Sequence, residues 1–144
     1  MRLLVDAGPI IAFFNRSDDW HERIIKFYAT CTDELVTTLP VITEAIWNLR
    51  GHHKVQSDLY RQVESGAYTI ASLSASDFHR IDELNSKYQG QKPDLADLSL
   101  VVVSESLNIS QILTIDRRDF AIYRRYGKLA FEQVDIPPVL KRQK

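Results

Sequence analysis

Hydrophobic positions along this chain change period repeatedly, and each change marks an element. Leu3-Leu4-Val5 is a short apolar run closed by Asp6-Ala7-Gly8-Pro9, the pattern of a buried strand ending in a turn. Trp20, Ile24, Phe27, Tyr28 and Cys31 recur at i, i+4, i+7, i+8 and i+11, the stripe of an amphipathic helix with Ser17 or Asp18 as its N-cap. Leu35-Val36-Thr37-Thr38 is short and β-branched, a second strand. Pro40 then suits the first turn of a helix running to about Arg50, with Gly51 as its stop. Val55, Leu59 and Val63 carry a helix over 54–65 that ends at Gly66, and Tyr68-Thr69-Ile70-Ala71 makes a third strand. Ser76 caps a helix whose apolar face is Phe78, Ile81, Leu84 and Tyr88, closed by Gly90. Asp94 to Leu107 is apolar on nearly every side, which predicts a deeply buried helix. Gln111-Ile112-Leu113-Thr114-Ile115 is a fourth strand, Arg117 to Tyr126 a short helix, and Leu129-Ala130-Phe131 a last edge strand before Pro137-Pro138.

Strands separated by helices imply parallel pairing in a layered α/β sheet, where sites form beyond the carboxyl ends of the strands. The chain has 144 residues, 44% hydrophobic and 26% charged, which is globular composition and excludes disorder and collagen-like repeats. No linker or repeat interrupts it, so we expect one domain over 1–136 and a basic tail over 137–144. The single Cys31 leaves no internal disulfide and no thiol-based zinc site. No apolar run approaches the roughly 18 residues of a membrane span. The opening Met1-Arg2-Leu3-Leu4-Val5 is too short for a signal peptide before Asp6 interrupts it. A cytoplasmic protein is expected.

Carboxylates fall where the sheet rule says to look. Asp6 follows the first strand and Asp116 the fourth, Glu44 lies about one helical turn beyond the second, and Asp94 and Asp97 open the buried helix. Asp119 lies three residues after Asp116. Each has a plain reading: Asp94 and Asp97 as cap and first-turn acid, Asp116 and Asp119 likewise, Asp6 as a turn residue, Glu44 as a solvated charge. Capping does not explain why independent elements deliver acids to one edge. Carboxylates gathered without a cation repel and are driven to protonate, and a hard divalent cation relieves this. Mg²⁺ or Mn²⁺ suits oxygen ligands, whereas His21, His52, His53 and His79 lack zinc-ligand spacing. A carboxylate-held Mg²⁺ activates water and stabilises charge on a phosphoryl group, so phosphodiester hydrolysis is the natural chemistry.

The net charge of −1 hides an asymmetry, since setting those six acids aside leaves +5 on the remainder. Arg117, Arg118, Arg124, Arg125 and Lys128 flank the last acids, and Arg50, His52, His53 and Lys54 form a second group. The first group reads equally as a solvated face or as contacts to the phosphates of a polynucleotide; the second reads as a solvated face. Trp47, three residues after Glu44, is assigned to core or dimer packing in preference to base stacking.

Four stretches, in order, resemble PIN-domain ribonucleases and particularly the toxin subunits of VapBC-type toxin–antitoxin pairs: Leu4-Val5-Asp6-Ala7-Gly8-Pro9-Ile10, Thr38-Leu39-Pro40-Val41-Ile42-Thr43-Glu44-Ala45, Asp94-Leu95-Ala96-Asp97-Leu98-Ser99-Leu100 and Leu113-Thr114-Ile115-Asp116-Arg117-Arg118-Asp119-Phe120. The resemblance implies a three-layer α/β/α fold with a central, mostly parallel sheet, a Mg²⁺- or Mn²⁺-dependent endoribonuclease site, an antitoxin partner and a homodimer. It matches Asp6, Glu44, Asp97 and Asp116 to the catalytic, metal-binding acids, and Asp94 and Asp119 to less central ones. Asp6 and Asp97 would then hold the metal that orients a water, Glu44 would complete its shell or assist proton transfer, and Asp116 would position a second ion or water. One departure is Gly8, where many relatives carry a hydroxyl or amide residue. The competing reading is a PIN-like RNA- or protein-binding module without catalysis, which would not need all four acids. Receiver domains and haloacid-dehalogenase-type phosphatases fit worse, because Asp6-Ala7-Gly8 supplies neither an acidic pair nor Asp-x-Asp.

Overall fold

The computed structural model describes residues 1–139. Its centre is β1 (Arg2–Val5), paired in parallel with β2 (Glu34–Thr38) on one side and β4 (Gln111–Leu113) on the other. β3 (Thr69–Ala71) extends the sheet beyond β2, and β7 (Glu132–Gln133) extends it beyond β4. The order is β3-β2-β1-β4-β7, with every pairing parallel. Leu3, Leu4 and Val5 are all fully buried. Successive strand residues point to opposite faces, so helices must cover both faces, which is the expected layered α/β arrangement.

The covering helices are α1 (Ala7–Phe14), α2 (His21–Thr30), α3 (Leu39–Asn48), α4 (His53–Glu64), α5 (Asp77–Lys87), α6 (Leu95–Ser106) and α7 (Arg117–Ile122). The deepest is α6, where every residue from Leu98 to Ser104 is buried. Its two buried serines are hydrogen-bonded: Ser99 Oγ donates to the Ala96 carbonyl at 2.7 Å, and Ser104 Oγ to that of Val101 at 2.5 Å. Ser99 Oγ also lies 2.7 Å from Thr38 Oγ1, tying α6 to the end of β2. Buried hydroxyls paired in this way avoid the cost of about 1–3 kcal/mol for an orphaned group.

Several sequence expectations need correction. Asp6-Ala7-Gly8-Pro9 is not a turn: Asp6 is the N-cap of α1, and Gly8 and Pro9 lie in its first turn, where a missing N–H costs nothing. The helix expected over Arg117–Tyr126 stops at Ile122, because Arg124–Arg125 (β5) pairs antiparallel with Leu129–Ala130 (β6). The sheet's edge strand is therefore Glu132–Gln133 and not Leu129–Phe131. Phe78 is 49% exposed and does not join Ile81 and Leu84 in the core. Ser17 and Ser76 make no capping bond, although the Asp18 carboxylate accepts from the Trp20 N–H at 2.8 Å just before α2. Ile136 is buried, and the Arg23 guanidinium donates to the Ile136 and Pro137 carbonyls. The basic end of the tail, Lys141 to Lys144, lies outside the described residues.

The strand order places the site. Connections from β1 lead toward β2 and β3, whereas β4 lies on the opposite side of β1. Loops diverge at the carboxyl ends of β1 and β4, and that divergence opens a crevice. Gly8 lines the wall there: a Cβ built on it would meet Ile115 Cβ at 3.4 Å, an ordinary contact. Gly8→Ala is therefore expected to fit and to stabilise the fold by about 0.4–1 kcal/mol through the unfolded chain's lost freedom. Denaturant unfolding at matched pH measures this, and a destabilised variant would mean that the first turn of α1 cannot accept a side chain.

Candidate active site

Asp6 leaves the end of β1 as a buried carboxylate, 7% exposed. Its backbone N–H donates to the Leu113 carbonyl at 3.0 Å, which locks it beside the end of β4. Oδ1 accepts the Ala7 N–H at 2.8 Å and Oδ2 the Thr114 hydroxyl at 3.0 Å. Asp94 caps α6 by accepting the Asp97 N–H at 2.8 Å, so the plain capping reading describes that side chain correctly. Asp97 lies in the first turn of α6 and accepts the Tyr123 hydroxyl on Oδ2 at 3.0 Å. Glu44 reaches in half-buried from α3, whose N-cap Thr38 ends β2. Asp116 sits at the N-cap position of α7 but makes no side-chain cap bond, so capping does not account for it.

The charges of these acids act on one another. Burial pushes Asp6 up to about 6, opposed by the Ala7 N–H and the Thr114 hydroxyl and reinforced by Asp94 and Asp116. Burial, then the charges of Asp94 and Asp6, push Glu44 up to about 7. Burial, then Asp6 and Asp94, push Asp97 up to about 8 against the pull of the Tyr123 bond. Asp119 is raised by burial and by its contact with Asp116. Asp6 is the most enclosed of these acids yet shifts less than Asp97. The difference follows from its two donors against one, since a bond to the ionised form favours it. Every acid singled out in the sequence therefore lies within electrostatic reach of another.

The donor set is oxygen alone. His21, the histidine nearest in sequence to α1, has its Nδ1 2.7 Å from the Ala12 carbonyl and does not join the acids. Half-desolvated carboxylates repelling one another suit a hard divalent cation, Mg²⁺ or Mn²⁺. Among the described residues, no three carboxylate, imidazole or thiol groups close on a common point, so the acids line an open mouth and not a finished cage. On one side the mouth meets a polar hollow of about 360 Å³, lined by Gln91, Asp116, Arg118 and Asp119 among others. On the other lies an apolar hollow of about 500 Å³, where Leu39, Trp47 and Leu95 adjoin Glu44 and Asp94.

The basic residues separate sharply. Arg125 is buried and donates to Asn108 Oδ1 at 2.8 Å, so it cannot serve as the phosphate contact expected from the sequence. Arg124 is half-buried, with one guanidinium nitrogen donating to the carbonyls of Ala121, Ile122 and Tyr123. Arg117 donates to the Val134 carbonyl at 2.8 Å. Arg118 is exposed beside Asp116 and Asp119 and has no hydrogen bond or ion pair among the described residues. Trp47 is 64% exposed, with the Arg50 guanidinium 4.1 Å from its ring centroid, so it is not a core residue of this chain. Thr114 and Tyr123 were not singled out from the sequence. The signal for Thr114 was a hydroxyl directly beyond a strand; Tyr123 left none, because its contact spans 26 positions.

The PIN-domain profile matches residues 3–127. The chain belongs to the PIN-domain family. Within that family it is a distant homologue of the VapC ribonuclease toxins: it is 26% identical to ribonuclease VapC26 of Mycobacterium tuberculosis over 127 residues, 87% of this chain and 94% of that protein. Solved structures share the fold. VapC20 of Mycobacterium tuberculosis, a sarcin-ricin loop cleaving toxin, superposes with a TM-score of 0.74 at 16% identity, covering 81% of this chain and 91% of its own. A toxin–antitoxin complex from Klebsiella pneumoniae gives 0.65 at 17% identity, covering 95% and 99%. VapBC2 from Rickettsia felis, bound to a DNA fragment from its promoter, gives 0.66 at 16% identity, covering 94% and 100%. No helix among the described residues is long and apolar enough to cross a membrane.

Raised acid values carry a sign for stability. Asp6, Glu44 and Asp97 bind protons more tightly folded than unfolded, so their contribution is full below about pH 4 and is lost as pH rises through about 6 to 8. In EDTA, the melting temperature should fall between about pH 5 and about pH 8. Asp97→Asn, a neutral isostere that still accepts from Tyr123, should flatten the decline. Thermal unfolding across pH tests this, and parallel curves for the two proteins would remove Asp97 from the account.

Proposed function

We propose that this chain is a Mg²⁺- or Mn²⁺-dependent endoribonuclease, a VapC-like toxin that works as a homodimer and is restrained by an antitoxin. The observation that carries the reading is the convergence of Asp6, Glu44, Asp97 and Asp116 from separate elements at the β1–β4 crevice, with the first three driven toward protonation. Asp6 and Asp97 would hold the cation, with Glu44 and Asp116 completing the oxygen set. When bound, the cation supplies acidified water and compensates charge on the phosphoryl oxygens. The chain's own residues do the rest. Ala7 N–H and Thr114 fix the Asp6 carboxylate, and Tyr123 fixes that of Asp97. Glu44, half-buried beside these acids, would complete the oxygen set or assist proton transfer. Arg118 holds a phosphate beside Asp116 and Asp119, and the charge-assisted contact positions the backbone without reading sequence.

An antitoxin is supported by the company the fold keeps, since one solved neighbour is a toxin–antitoxin complex and another is VapBC2 bound to promoter DNA. Protein partners also suit the apolar surface left at Leu39, Trp47 and Leu95. Sedimentation velocity of the chain alone reads the oligomeric state.

The decisive experiment is RNA cleavage across tRNAs and ribosomal fragments with Mn²⁺ or Mg²⁺. Cleavage is expected to stop in EDTA and to fall by at least about 100-fold in Asp6→Asn and in Asp97→Asn, since even outer-shell partners of a metal cost 10–100-fold. Activity that survives the substitutions removes these acids from catalysis. RNA binding without cleavage on any substrate replaces the nuclease by the binding module.

The arginines give an independent check in the inactive Asp97→Asn background. Arg118→Ala should weaken RNA binding and lower the slope of log affinity against log salt by about 0.7, one single-strand phosphate contact. Arg125→Ala should leave that slope unchanged while lowering the unfolding midpoint, because its side chain is buried and bonded to Asn108. An unchanged slope in Arg118→Ala would place the phosphate contact elsewhere.

A further inference from the structure

Tyr123 is the one aromatic hydroxyl whose hydrogen bond among the described residues ends on a site carboxylate. Its ring is fully buried and held edge-on by two neighbours, Tyr88 with centroids 5.1 Å apart and Phe120 at 5.2 Å. The next residue's N–H donates to the Tyr88 hydroxyl at 2.9 Å, so ring and backbone are fixed together. A phenylalanine would fill the same ladder, and what the phenol adds is a donor to Asp97 Oδ2 at 3.0 Å. Among the described residues, Asp97 Oδ1 has no hydrogen-bond partner. The two oxygens of this acid are therefore inequivalent, one tethered to Tyr123 and the other without a hydrogen-bond partner among the described residues.

That inequivalence bears on cation size. Ca²⁺ takes six to eight oxygens at about 2.3–2.6 Å and accepts both oxygens of one carboxylate, whereas Mg²⁺ requires near-octahedral ligands at about 2.0–2.1 Å and keeps several waters. A carboxylate with one oxygen committed suits the smaller ion. The geometry points to Tyr123 as a positioning residue that presents Asp97 as a one-oxygen ligand and so biases the site toward Mg²⁺ or Mn²⁺ over Ca²⁺. This rests on the reading of Asp97 as a ligand for a divalent cation.

The test is calorimetric titration of Mg²⁺, Mn²⁺ and Ca²⁺ into the RNA-free protein and into Tyr123→Phe at matched ionic strength. The ratio of Ca²⁺ to Mg²⁺ affinity is expected to rise about 10-fold in the variant, the scale of lost outer-shell support. A merely structural role would weaken all three ions together and leave the ratio unchanged, which would overturn the inference while the metal site stands. Binding of none of the three ions by the unaltered chain would overturn the site reading itself. Infrared difference spectra of the unaltered chain against Asp97→Asn, with Ca²⁺ added, give a second measurement that does not depend on the phenylalanine variant folding. A carboxylate splitting typical of one-oxygen ligation is expected, and a chelating splitting overturns the proposal.

Discussion

A charged group at the end of a strand buried on both faces is the constraint on which this molecule turns. Leu3, Leu4 and Val5 lie fully buried between helical layers, and the chain then delivers a carboxylate, Asp6, where water is largely excluded. Such a group is tolerated only when donors meet it. The first N–H of α1 supplies one, the hydroxyl that ends β4 supplies the other, and the Asp6 N–H closes the join through Leu113. Those three bonds set the start of α1, the alignment of β1 with β4 and the position of the acid at once. The same residue is both cap and clamp.

The remaining acids make the arrangement unfavourable for the isolated chain. Asp97 and Glu44 lie within range of Asp6 and Asp94, and burial withholds the solvent that would screen them. Compensation comes from scaffolding distant from the acids. The apolar body of α6, its two buried serines and the Thr38–Ser99 contact hold the start of that helix against the end of β2. Relaxing this electrostatic conflict would require moving elements that the core does not release.

How legible was this in the chain? Strands bounded by helices, the buried helix and the placement of the six acids near strand ends and helix starts were readable, because each rests on local periodicity or on position after a strand. The first helix was not, since Gly8-Pro9 signals a break unless Asp6 is known to be a cap. The run Arg117 to Arg125 showed charge but not facing. Its split into an exposed Arg118, a half-buried Arg124 and a buried Arg125 depends on where α7 yields to β5, and that depends on pairing with β6. Tyr123 was invisible for the same reason: its partner is set by tertiary packing and not by sequence distance. What stayed hidden is long-range, and what showed is local.

The acids divide into two groups by their surroundings. Asp6 and Asp97 are enclosed and tethered by protein donors, and their directions are set before any ligand arrives. Asp94 and Asp116 are exposed, and the first is partly spent on capping. In the proposed metal site, enclosed acids would lose little further freedom on binding, whereas exposed ones adjust and mainly contribute field. The neighbouring surface follows the same gradient, from apolar at Trp47 and Leu95 to polar at Gln91 and Arg118. The mouth thus has fixed carboxylates at its centre and an adaptable rim. In the proposed nuclease, such a centre would set the chemistry and leave substrate choice to residues that can change without disturbing it.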